Sequence, residues 1–70
     1  MSSETRPASP VREARQAKYE RLVDAADAIG ISIGYLSMIE NGLIPNQRLR
    51  GLIADALEVA PSKLWPGLAA

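Results

Sequence analysis

The stretch that most constrains this chain is Gly30-Ile31-Ser32-Ile33-Gly34-Tyr35-Leu36-Ser37-Met38-Ile39-Glu40-Asn41-Gly42. It reads as one unit: a turn, a helix start, a short helix and a stop. Gly30 is free to take the left-handed backbone of a tight interhelical turn. The Ser32 hydroxyl suits a helix N-cap, because it accepts one of the N–H groups that the first turn leaves unpaired. Leu36 and Ile39, with Ile33 and Tyr35 beside them, recur at three- and four-residue spacing and predict one buried face. Asn41-Gly42 supplies the C-terminal stop.

Upstream, Val11 to Ile29 contains no Gly, Pro, Asn or Ser. Pattern alone permits a single helix there, about 28 Å long, opened by Pro10. Downstream, Leu43-Ile44-Pro45 reads as a loop with two aliphatics in need of cover, and Pro45 disfavours helical geometry at Ile44. Asn46 is a good N-cap for a helix from Gln47 to about Glu58, whose buried stripe is Leu49, Ile53, Ala56 and Leu57. Gly51 inside that helix points to a close neighbour or to simple tolerance. Pro61 opens a last short helix to Leu64 or Trp65, and Pro66-Gly67 stops it.

Seventy residues make one small domain, which buries only about 60% of its unfolded surface. With no cysteine and no histidine, disulfides, the usual zinc sites and histidine acid–base chemistry are excluded. No apolar run approaches the roughly 20 residues of a membrane span, and Met1-Ser2-Ser3-Glu4-Thr5-Arg6-Pro7 is no signal peptide. These features predict a soluble, cytoplasmic protein without cofactor or metal. Neither a glycine-rich phosphate loop nor a spaced nucleophile and base is present, so no enzyme is expected. Asp24 and Asp27, three residues apart, read as a solvated helix face.

Residues 1–9 lack periodicity and predict a disordered tail ahead of a domain at 10–68. Arg6 in that tail is either solvated or placed in a DNA minor groove. Eight basic and eight acidic side chains leave no net charge, so any phosphate-binding surface must be local.

Positions 30–42 resemble the second half of the helix-turn-helix of the Cro/phage-repressor (XRE-like) family. That motif reads Gly-apolar-Ser/Thr, exposed residues around a buried aliphatic, then apolar-Glu-polar-Gly. Ile53-Ala54-Asp55-Ala56-Leu57-Glu58-Val59 is similar to the end of the family's fourth helix, Ile-Ala-x-Ala-Leu-Gly-Val. Pro61-Ser62-Lys63-Leu64-Trp65-Pro66 resembles the ending of the Ner-like regulators of transposable phages. The resemblance spans roughly residues 11–65 and implies an all-α, compact five-helix, lambda-repressor-like domain. It divides the long upstream run into Val11–Lys18 and Leu22–Ile29, with Tyr19-Glu20-Arg21 as the turn and Ala26 where two helices cross closely.

The same resemblance implies a small transcriptional regulator, phage- or mobile-element-encoded, that binds double-stranded DNA as a homodimer. The helix at about 33–41 would enter the major groove with Ile33, Gly34, Ser37 and Met38 toward the bases. Family members often carry Gln, Arg, Asn or Ser at those sites, because such side chains hydrogen-bond base edges. Ile33, Gly34 and Met38 have no donors; they suit thymine methyls, and the surface should read sequence softly. Phosphate contacts fall to Arg21, Ser32, Tyr35, Asn41, Gln47 and Arg48. Arg15 and Glu40 occupy the positions of a structural salt bridge. Leu64, Trp65 and Leu68, with Leu43 and Ile44, are the apolar candidates for a dimer contact, although Trp65 reads first as a lid on the core. An alternative of another class is a protein-binding module that uses Ile33, Met38, Leu43 and Ile44 on a partner protein. An architectural recombination accessory factor is a third reading.

Overall fold

The run from Val11 to Ile29 does not form one helix. In the computed structural model, which describes residues 9–68, α1 (Pro10–Lys18) stops before α2 (Leu22–Ile29). Tyr19 is extended, at φ −127° and ψ 112°. Arg15 holds the break open: its Nη1 donates to the carbonyls of Tyr19 at 3.3 Å and Glu20 at 2.9 Å. A side chain thus satisfies carbonyls that a continuous helix would have paired with its own backbone. Ser9 caps α1 by accepting from Arg12 N, so the domain begins one residue earlier than the tail predicted at 1–9. The rest of that tail, with Arg6, lies outside the described residues.

Gly30 sits at φ 93° and donates its N–H to Ala26 O at 2.8 Å. The chain then reverses into α3 (Ile33–Glu40), bent by 104° from α2. That angle is within the range of a helix-turn-helix. Ser32 accepts from Tyr35 N at 3.1 Å, and α3 closes at Asn41. Leu36 and Ile39 are buried, whereas Ile33, predicted beside them, is 46% exposed. At about 100° per residue Ile33 stands about 60° from Leu36, so the period alone does not expose it; burial of α3 begins at Leu36, past the first turn.

α4 (Gln47–Leu57) starts at Asn46, whose Oδ1 accepts from Leu49 N at 2.8 Å. It ends one residue before the predicted Glu58, which becomes a left-handed C-cap at φ 61°. Ile53, Ala54 and Leu57 are its buried residues, so Ala54 replaces the predicted Ala56 at the centre of the stripe. Nothing lies within 4 Å of where a Cβ would stand at Gly51, so no close neighbour accounts for that glycine. α5 (Pro61–Leu64) completes the chain of helices.

Two apolar clusters hold the elements together. Val11, Ile39, Ile53, Ala54, Leu57, Leu64 and Trp65 join α1, α3, α4 and α5. Ala25, Ala26 and Leu36 join α2 to α3, and the small alanines permit close approach of the two axes. Tyr19, Ile29 and Ile31 touch both clusters, which makes the short turns part of the core. Among the described residues no buried side-chain nitrogen or oxygen lacks a hydrogen-bond partner.

Candidate nucleic-acid interface

The turn at Gly30 sets which side of α3 faces outward. Leu36, Ile39 and Glu40 point inward, and Ile33, Gly34 and Met38 are exposed with Ser37 half-buried between them. Ile33 and Met38 are large apolar side chains at 46% and 54% exposure. Gly34 has open space where a Cβ would stand. The four base-facing candidates therefore share one arc of α3. Tyr35 lies at the edge of that arc, half-buried against the core.

Glu40 is the only carboxylate on α3, and it is turned away from the arc. It is 5% exposed and held by two arginines of α1. Arg15 Nε donates to Oε2 at 2.8 Å and Arg15 Nη2 to Oε1 at 3.3 Å. Arg12 Nε donates to Oε1 at 3.2 Å. Two cations on one carboxylate leave a positive balance at the C-terminal end of α3, where the helix dipole favours a cation.

Arg12 was not among the residues singled out from the sequence. It stands three residues before Arg15, the spacing that places two side chains on one helix face, and that signal was available. Arg12 also reaches Asn41: its Nη2 donates to Oδ1 at 3.3 Å, and Asn41 Nδ2 donates to Ser37 O at 2.8 Å. The Asn41 amide is thus engaged within the protein, and the partly exposed Arg12 guanidinium stands beside it.

The other phosphate candidates surround α3 unevenly. Ser32 is exposed, and its oxygen accepts from Tyr35 N while the hydroxyl proton stays available. Arg21 is exposed at the start of α2, which has no side-chain cap, so its first N–H groups are open to an anion. Gln47 and Arg48 are exposed at the start of α4, and Arg48 forms no ion pair among the described residues. Arg50 is half-buried and donates to Pro45 O at 2.7 Å, which fixes the loop before α4.

The dimer candidates separate. Leu64 and Trp65 are 3% and 8% exposed and belong to the core. This fits Trp65 as a lid on the core and weighs against Leu64 and Trp65 as dimer contacts, because burial leaves them little apolar area for a partner. Leu68, Leu43 and Ile44 are exposed. A groove of about 420 Å³ runs between the start of α4 and α5, lined by Gln47, Arg50, Pro61 and Trp65, with Leu68 on its wall.

A helix-turn-helix family model matches residues 11–64, from the first turn of α1 to the end of α5. The chain belongs to that family. Within it, the chain is a Cro/repressor-like regulator of the XRE type. The helix-turn-helix proper is α2, the Gly30 turn and α3. This is a family of DNA-binding regulators, not of enzymes. Comparison with curated proteins and with solved structures found no match. Among the described residues no single helix is long and apolar enough to cross a membrane.

Proposed function

We propose that this regulator binds double-stranded DNA by inserting α3 into the major groove, with Ile33, Gly34, Ser37 and Met38 toward the bases. The observation that carries this reading is the outward arc of α3: exposed, free of carboxylates and presented by the α2–α3 turn of a DNA-binding family. Arg21, Ser32, Tyr35, Gln47 and Arg48 are proposed to hold the flanking phosphates, and they position the helix without reading sequence. The side chains of Asp24 and Asp27 are exposed on α2 and weaken long-range attraction to DNA, so binding is modest at high salt. A dimer on a two-fold site, built on Leu68, Leu43 and Ile44, belongs to the same proposal. A phage or mobile-element source rests on the resemblance of the ending at Pro61–Pro66 to the Ner-like regulators.

The test is fluorescence anisotropy of labelled duplex from upstream of the protein's own gene, against a scrambled duplex, at about 50 and 200 mM salt. Tighter binding to the native fragment with a steep loss at the higher salt supports a sequence-reading regulator. Equal, weak binding to both leaves an architectural role, which bending of the duplex would reveal. Absence of binding at the lower salt overturns the proposal.

One observation favours a second reading. Ile33, Met38, Leu43 and Ile44 are all exposed, and the chain has no net charge, which suits a protein ligand. Arg48→Ala separates the two, because it weakens a DNA complex and leaves an apolar protein contact nearly intact.

A further inference from the structure

We propose that α3 selects its site by the C5-methyl groups of pyrimidines, in practice thymine, rather than by hydrogen bonds to base edges. This rests on the reading of α3 as the major-groove helix. At about 100° per residue, Ile33 and Met38 stand at the two edges of an arc of about 140°, with Ser37 and Gly34 between them. The edges of the arc are therefore apolar and its middle is small.

Three observations point to a methyl-bearing ligand. The Ile33 and Met38 side chains are about half exposed, so that part of their apolar surface is available to a ligand. Gly34 meets nothing within 4 Å of its missing Cβ, so the helix backbone can approach a groove floor closely between the two apolar side chains. The one carboxylate of α3 is buried under Arg12 and Arg15, so the arc offers no acceptor to the amino group of cytosine or adenine except the Ser37 hydroxyl.

In the major groove, thymine alone among the standard bases presents a methyl group. Ile33 or Met38 over that methyl removes apolar surface from water on both sides. The same side chain over a G·C pair covers the N4 amino group and O6 without replacing their water, which is unfavourable. Attraction and exclusion then favour the same sequences. Because the two side chains sit at opposite edges of the arc, they meet methyls on separate base pairs.

The probe is a duplex selected by the full chain from a random double-stranded library. It is resynthesised with deoxyuridine in place of thymidine, which deletes the methyl and keeps every hydrogen-bonding group. Affinity should fall about fourfold for each methyl contacted by α3, with an unchanged salt slope, since the phosphates are untouched. In Ile33→Gln/Met38→Gln, whose side chains are exposed and whose folding is checked by circular dichroism, the difference between the two duplexes should vanish. Equal binding of both duplexes by the wild-type chain overturns the proposal, and leaves DNA binding standing. A difference that persists undiminished in the double variant also overturns it, by tracing the effect to duplex shape. Failure to select or bind any duplex overturns the DNA reading and this inference together.

Discussion

Arg15 Nε lies 2.8 Å from Glu40 Oε2, and both side chains are nearly sealed from solvent, at 8% and 3% exposure. This pair joins α1 to the last residue of α3. The same guanidinium donates to Tyr19 O and Glu20 O, so one arginine both breaks the first helix from the second and fixes the far end of α3.

Removal of one partner of that pair should be severe. Glu40→Ala leaves the buried Arg15 without its carboxylate, and Arg15→Ala leaves the buried Glu40 with only the partly exposed Arg12, each at a cost of about 3–5 kcal/mol. A domain of this size has total stability on the order of 5 kcal/mol, so either variant should be largely unfolded in urea titrations at room temperature. Arg12→Ala, whose side chain is 37% exposed, should cost about 1 kcal/mol or less.

The α2–α3 turn should depend on Gly30 through its backbone alone. Gly30→Ala forces a Cβ onto φ 93° with open space around it, so strain of about 1–2 kcal/mol is expected without a steric clash. Ser32→Ala removes the acceptor for Tyr35 N and should cost about 1 kcal/mol. Urea midpoints of the two variants check both values.

Lys18 Nζ donates to Glu58 Oε2 at 2.6 Å, and this bond raises the Lys18 pKa and lowers that of Glu58. The Glu58 contribution is present above its unfolded value and is lost as pH falls through the lowered folded value. The Lys18 contribution is present below its ordinary 10.5 and is lost as pH rises through the raised one. Both groups are solvated, so the effect is small and is screened by salt. The difference in Tm between wild type and Glu58→Gln should be flat around neutrality and disappear at both extremes. Glu58→Gly should raise Tm despite loss of the ion pair, because φ 61° is strained for glutamate.

Trp65 and Leu68 should respond in opposite ways. Trp65 is a core residue, so its fluorescence should resist quenching by iodide, and Trp65→Ala should cost about 3–5 kcal/mol. Leu68→Ser should leave the thermal midpoint nearly unchanged and weaken self-association, if Leu68 carries the dimer contact, in analytical ultracentrifugation with duplex.

Arg48→Ala should leave stability unaltered, because the residue is exposed at the start of α4. Its duplex affinity should fall, and the slope of log affinity against log salt should become shallower by about 1. Anisotropy titrations across a salt series measure both.

Much of the fold was legible because its signals are local. The Gly30 turn that ends α2, the Ser32 and Asn46 caps and the start of α5 each depend on residues within one helical turn of the feature they specify. The outward positions of α3 were implied by the family resemblance and not by the helical period, which sets Ile33 beside Leu36 on the buried face, where the structure leaves it exposed. Arg12 shares a helix face with Arg15, but that a second arginine reaches Glu40, 28 residues on, shows only in the packing of α1 against α3. Trp65 was left between a lid and a dimer contact because an aromatic residue near a chain end suits both until its neighbours are known.

By itself the sequence determined the start and stop of α3, the start of α4 and the start of α5, since capping, glycine geometry and proline act over a few residues. The tertiary structure decided what local signals left open: that Val11–Ile29 is two helices and Arg15 pairs with Glu40, as the family resemblance implied, that Arg12 joins that pair, and that Leu64 and Trp65 face inward. Those outcomes depend on contacts between distant elements: no local preference interrupts the first run, and a buried carboxylate chooses its partners by distance rather than by spacing along the chain.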